Sequence, residues 1–294
     1  MRPTVLVPLI AALSACAPRV GGGDGLRSQT VSAGDATVRV NYLTEDAEGA
    51  KQVIAALERA IPAAQRWGAL RVPVVVTVHP DHDALEQAVH REGYEWLRAW
   101  ATYATIEVQS PRTWAARGWS LFGPDQQEID ELVLHELTHC AMYQTAASDW
   151  SWPFKEIPLW FREGMASVTA NQAYRWKKHD EIARFYTASA PGSGGGVSGS
   201  SGSARAEPRR GGDPLTDPEP LYRSESEVVY GTAHLAFEFL VARYGEASVK
   251  AILARMGEGH LFGAAFERAV GLDVAAFERE FRRYLVWRGW RKAA

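Results

Sequence analysis

The stretch "ELVLHELTHCAMYQ", Glu131 to Gln144, decides how the chain is read. His135 and His139 stand four positions apart, so on a helix they project from one face, one turn apart. Both imidazoles can then reach one zinc ion. Glu136 lies beside that ion, placed to take a proton from a water molecule. Three fixed positions of this kind arise by chance in roughly one chain in a hundred of this size. The competing reading is a helix that holds two partly buried, hydrogen-bonded histidines. Leu132, Val133, Leu134, Leu137 and Ala141 predict a buried helix. Titratable groups in such a helix are costly without partners, which favours a cation between them. Cys140 points about 100° away from His139 and reads as a small buried hydrophobe, not a fourth ligand. Asp130 and Glu131 are both candidates to orient a ligand imidazole, and the sequence does not choose between them.

A catalytic zinc needs a third protein ligand and one open position. The candidate is Glu163 in "LWFREGMASV" (159–168), 24 positions after His139. A lone helical glutamate is ordinarily solvated. Here Trp160, Phe161, Met165 and Val168 flank it, and a buried carboxylate needs a cation. Gly164 and Ala166 are small enough to let this helix approach the motif helix closely.

"HELTH" followed by "PLWFREGMAS" resembles the gluzincin metallopeptidases, in particular the peptidase-MA-like group, whose third ligand sits in a W-x-x-E-G-x-A helix. The resemblance extends through "VVYGTAHLAFEFLVARYG" (228–245) and "FERAVGLDVAAFEREFRRYL" (266–285), so it spans residue 100 to the C-terminus. It implies His135, His139 and Glu163 as ligands of Zn2+, Glu136 as general base, and a peptide or protein substrate. It also implies a tyrosine or histidine on a later helix as donor to the oxyanion. Tyr230 and His234 share a helical face there. Tyr230 is the preferred donor, against the reading that it packs in the core with its hydroxyl satisfied. His234 is the second candidate. The Gly-x-Met-Glu-Asn signature of the aminopeptidase branch is absent, which points to an endopeptidase. The strand at 104–109 takes the position of the edge strand that pairs with extended substrate in such enzymes.

The bulk numbers are those of a globular protein: 46% hydrophobic, 23% charged and a net charge of −3, with no basic excess to suggest nucleic acid. The opening "MRPTVLVPLIAALSAC" has a basic Arg2, an apolar run too short to span a bilayer, and small residues before Cys16. Its end resembles the lipobox of bacterial lipoproteins. This implies a signal peptide over 1–15, a lipid anchor through Cys16 to the membrane, and a periplasm-facing place in the cell envelope. Ala17, not Asp, follows the cysteine, which leans to the outer membrane. Plain secretion with a free Cys16 is the other reading.

The expected fold class is α+β and zincin-like: a small mixed sheet with helices first, a mostly helical C-terminal part, and the site between them. Residues 16–30 read as a flexible tether. Strands are expected at 36–43, 71–80 and 104–111. Helices are expected from Glu45, interrupted around Pro62, from Asp81, over 126–145 and over 156–176. These make an α+β subdomain over 31–188. Residues 189–224 are Gly, Ser and Pro with little apolar content and read as a disordered insertion. Residues 225–294 form a helical subdomain punctuated by Gly245, Gly257 and Gly271.

Eleven tryptophans are many, and most lie between Trp96 and Trp176. Trp150 and Trp152 line a groove or cap the core. The basic, Trp-bearing tail after Arg282 closes the core or touches an anionic surface. His79, His82, His90, His179 and His260 have no partner at ligand spacing. Three functions compete: a zinc peptidase, an inactive gluzincin-like binding or scaffold module, and a hydrolase of cell-wall material with aromatic sugar platforms.

Overall fold

A computed structural model describes residues 25–114, 124–187 and 212–290. The signal stretch, Cys16, the tether as far as residue 24 and residues 189–211 of the expected insertion lie outside them. The chain begins as a hairpin, β1 (Leu26–Ala33) and β2 (Ala36–Leu43), paired from Leu26 opposite Leu43 to Ala33 opposite Ala36. Gly34, at φ 58°, makes the two-residue turn possible. β1 therefore starts inside the stretch read as a tether. Residues 26–30 are all exposed, so no alternation marks them as a strand. In β2 the alternation is clear, with Ala36, Val38 and Val40 buried.

Helix α1 (Ala47–Ala64) crosses from β2 to β3 (Val74–His79), which is parallel to β2. α1 runs two residues past Pro62 rather than breaking there. In the last turn proline removes one backbone bond only, while Ile61 and Ala64 keep their burial. Helix α2 (His82–Val89) is capped by Asp81, whose carboxylate accepts from the Ala84 N–H at 2.9 Å. Then come β4 (Ala99–Ala101) and β5 (Thr105–Gln109). The sheet order is β1-β2-β3-β5-β4, with β5 parallel to β3 and antiparallel to β4. The strand at 104–109 is thus internal, and the edge beside it is β4. Three residues are too few for periodicity to announce β4.

Helix α3 (Gln126–Ala146) carries the motif and is capped by Asp125, which accepts from the Glu128 N–H at 2.8 Å. It lies between two cores. Ile129, Val133 and Leu137 pack on the sheet with Val53, Leu57, Val76 and Ile106. Met142, Tyr143 and Ala146 pack with the helical part. That part contains α4 (Leu159–Thr169), α5 (His179–Thr187), α6 (Ser226–Gly257), α7 (Phe262–Val270) and α8 (Val274–Trp290). α6 is kinked at Gly245, and Gly271, at φ 86°, ends α7. The fold is α+β with a mixed five-stranded sheet first and a helical part after it. Among the described residues no helix is long and apolar enough to cross a membrane.

Two further details differ from the sequence reading. Residues 212–224 lie within the expected insertion, yet Leu215 and Leu221 are buried and Arg282 pairs with Asp213 at 3.2 Å. Two leucines anchor that segment amid polar composition. Gly164 does serve a close helix contact, but with α6 and not with α3. A Cβ there would lie 2.3 Å from the Ala233 carbonyl oxygen and 2.6 Å from the Phe237 Cβ. Gly164→Ala is therefore expected to destabilise the protein by about 3 kcal/mol, because backbone is the obstacle. Denaturant unfolding measures it, and a variant within error of wild type would refute the contact.

Candidate metal centre

α3 presents His135 and His139 on one face, and α4 brings Glu163 opposite them. Both Nε2 atoms face the same Glu163 oxygen, at 3.3 Å from His135 and 3.6 Å from His139. The two histidines are buried and Glu163 is largely so, and their ligand atoms lie within 4.8 Å of one another. Two donors about 2.1 Å from a tetrahedral zinc are about 3.4 Å apart, so these spacings fit such an ion.

The His135 tautomer is set from behind. Its Nδ1 lies 2.9 Å from the Gln172 Oε1, an acceptor, so Nδ1 carries a proton, and Nε2 is the nitrogen left to pair with Glu163 when protonated or to bind a metal ion when not. The Gln172 amide donates to the Glu131 carbonyl at 3.4 Å, which fixes which way the amide lies. No sequence pattern marks Gln172, because it acts across 37 positions. It reaches the site because α4 stops. Asn171 turns left-handed at φ 55°, and the Gln172 N–H closes back on the Ser167 carbonyl at 3.0 Å. Asn171 was a readable stop signal inside the helix expected to run to 176. Neither acidic candidate orients an imidazole. Asp130 pairs with Arg59 at 2.6 Å, and Glu131 holds Arg175 at 2.8 Å and the Tyr174 hydroxyl at 2.7 Å. The His139 Nδ1 has no partner among the described residues. Gln172→Ala is expected to weaken zinc binding about 10- to 100-fold without removing the site. Competition with a chelator of known affinity reads this, and an unchanged affinity would rule the positioning role out.

Charge in the trio is arranged by burial and by mutual pairing. Burial opposes ionisation of Glu163, but the two histidines outweigh it and hold the carboxyl well below its ordinary range. Burial likewise opposes protonation of His135, and Glu163 with Glu136 overcomes it, so its pKa is raised. Glu136 itself is pushed up by burial, with His135 and His139 pulling partly the other way and the Ala101 backbone N–H bonding to it. Cys140 does not join the group: it is buried, and its thiol faces the Thr102 carbonyl at 3.3 Å.

The trio and Glu136 open on a cavity of about 300 Å³. β4 forms one wall with Ala99, Trp100 and Ala101, and Trp96, Trp152 and Trp176 complete an aromatic lining. Trp152 therefore belongs to the cleft, whereas Trp150 is 79% exposed and does not line it. Tyr230 lines the same cavity, stacked on Trp176 at 5.0 Å, with its hydroxyl 3.4 Å from that of Tyr222. Burial pushes its pKa well up, so it is a neutral donor. His234 is not brought to the cavity. Its Nδ1 lies 2.9 Å from the Ser167 hydroxyl and its Nε2 turns to Glu238 at 3.6 Å.

No family model matches the chain, and no curated protein matches it. Among solved structures it is similar to an M1 zinc metallopeptidase variant from Deinococcus radiodurans with a Tyr-Ser-Ala substrate bound, at 15% identity and a TM-score of 0.43, over 89% of this chain and 52% of that one. It is also similar to Legionella pneumophila aminopeptidase A, at 13% identity and a TM-score of 0.48, over 87% of this chain and 27% of that one. The chain thus spans about half or less of the length of these proteins. Both likenesses are distant, and the chemistry of this chain rests on its own residues.

Proposed function

We propose that this chain is a zinc-dependent peptidase of the gluzincin type, acting as an endopeptidase. The observation that carries the reading is the convergence of the His135 and His139 Nε2 atoms on one Glu163 oxygen, with Glu136 on the wall of the same cavity. A zinc ion held by these three residues supplies Lewis acidity for water and for the scissile carbonyl. Glu136 takes the proton of the attacking water and hands it to the leaving amine. Tyr230 donates its hydroxyl hydrogen to the oxygen that gains charge. The outer side of β4 gives an extended peptide a backbone edge to pair with, which supports cleavage within a chain. The zinc-loaded protein should cut peptides internally, read by mass spectrometry of a peptide library. Stepwise shortening from the amino terminus would replace the endopeptidase reading with an aminopeptidase one. Tyr230→Phe should lower kcat about 10²- to 10³-fold with less change in KM and none in zinc content. An unaffected kcat would remove Tyr230 from the chemistry. The four cavity tryptophans favour one second reading, a hydrolase of cell-wall glycans or their peptides. Digestion of peptidoglycan without cleavage of unmodified peptides would select it.

A further inference from the structure

Three arginines line the cavity, and two of them are engaged. Arg98 donates to the carbonyls of Glu95 and Leu97 at 2.8 and 2.9 Å. Arg175 pairs with Glu131 at 2.8 Å. Arg162 differs. It is half-buried, and both Tyr143 and Tyr222 line the same cavity. Its Nε–H is buried and has no partner among the described residues. No described carboxylate forms an ion pair with it, and the acidic neighbour Glu163 is turned to the two histidines. A guanidinium drawn out of water without an anion is costly.

Arg162 also lines a second cavity of about 80 Å³ that shares Trp96, Trp100 and Tyr222 with the first. That cavity holds a further cation, Arg91, set over the Trp100 ring at 4.8 Å, against a single carboxylate, Glu219. The small cavity is thus lined by two arginines and one carboxylate, and Arg162 is the charged residue common to both linings.

We propose that Arg162, with the small cavity beside it, forms a subsite for a carboxylate of the substrate, from an acidic side chain or from a peptide C-terminus. The inference rests on the peptidase reading of the same cavity. The planar guanidinium matches a carboxylate in a way a lysine cannot. The flanking indoles exclude water, which strengthens each charged hydrogen bond. An amide isostere keeps one acceptor oxygen but sets its NH2 donor against a guanidinium donor and brings no charge, so the site disfavours it.

The test uses one cleaved peptide in matched forms, with Glu or Gln at each position in turn and with a free or amidated C-terminus. Wild type should favour one carboxylate form by roughly tenfold or more in kcat/KM, mostly through KM. A preference that amidation abolishes assigns the C-terminus, and one that Glu→Gln abolishes assigns a side chain. Arg162→Gln should bring the ratio to about one, and Arg162→Lys should keep part of it. Binding is read separately by quenching of tryptophan fluorescence in the zinc-loaded Glu136→Gln protein. If wild type handles acid and neutral forms alike in turnover and binding, the subsite is overturned. A ratio that survives in folded Arg162→Gln overturns the assignment to Arg162. Should no peptide be cleaved while carboxylate forms still bind selectively, the peptidase reading fails and the subsite stands.

Discussion

Glu136→Gln is expected to keep its zinc and lose turnover by about 10²- to 10⁴-fold, the size of a general-base contribution. The amide has the carboxylate's shape and stays at the same point of α3, next to both imidazoles. Its oxygen can still accept from the Ala101 N–H that bonds Glu136. No packing is lost, and no buried charge is stranded. What disappears is the capacity to accept a proton. Glu136 is not one of the three groups whose donor atoms converge, so metal content should not change. Zinc per chain and kcat on any responsive peptide are measured on the same preparation. A variant that cuts at the wild-type rate would end the proposed mechanism. One that loses zinc and activity together would make Glu136 a ligand instead.

The legibility of this site follows from the range over which each signal acts. His135, Glu136 and His139 were readable because one helical turn relates them, and their positions on α3 follow from helix geometry alone. Glu163 was readable because its apolar neighbours made a solvated glutamate implausible, and Trp160 and Phe161 are indeed fully buried. The motif helix, β2, the glycine kink at 245 and the glycine stop at 271 were legible for the same local reasons. The residues that complete the site were not. Gln172 meets His135 through a left-handed turn, and Arg162 matters through what it fails to pair with. β4 is too short to show a period, so the sequence points to an edge of the sheet one strand too far inward. Gly164 was recognised as a contact residue, but a sequence does not say which helix it touches. His234 shares a predicted face with Tyr230, and the partner that fixes it, Ser167, lies 67 positions away.

Glu163→Ala is the second substitution with a large expected effect, and it acts on metal and stability together. Wild type should hold about one zinc per chain. The variant should fall far below that, because two imidazoles on one helix lack the opposing charge that closes the site. Metal-free wild type has its own pH signature. Glu163 is depressed below its ordinary value of 4.5, so its contribution to stability is present above that pH and is lost as pH falls through the folded value. His135 is raised above 6.5, so its contribution is present below 6.5 and is lost as pH rises through the folded value. The metal-free pairing is therefore strongest between about 4.5 and 6.5. Zinc must displace the imidazole proton, so its affinity climbs with pH where that pairing fades. Chelation should thus lower the Tm of wild type more at pH 7.5 than at pH 5.5. Glu163→Ala should be insensitive to the chelator at both, since there is little metal to remove and no carboxylate to pair with His135. Stoichiometric zinc in the variant, with an unchanged response to chelation, would mean that the third ligand lies elsewhere and that Glu163 is only the counter-charge of two buried histidines.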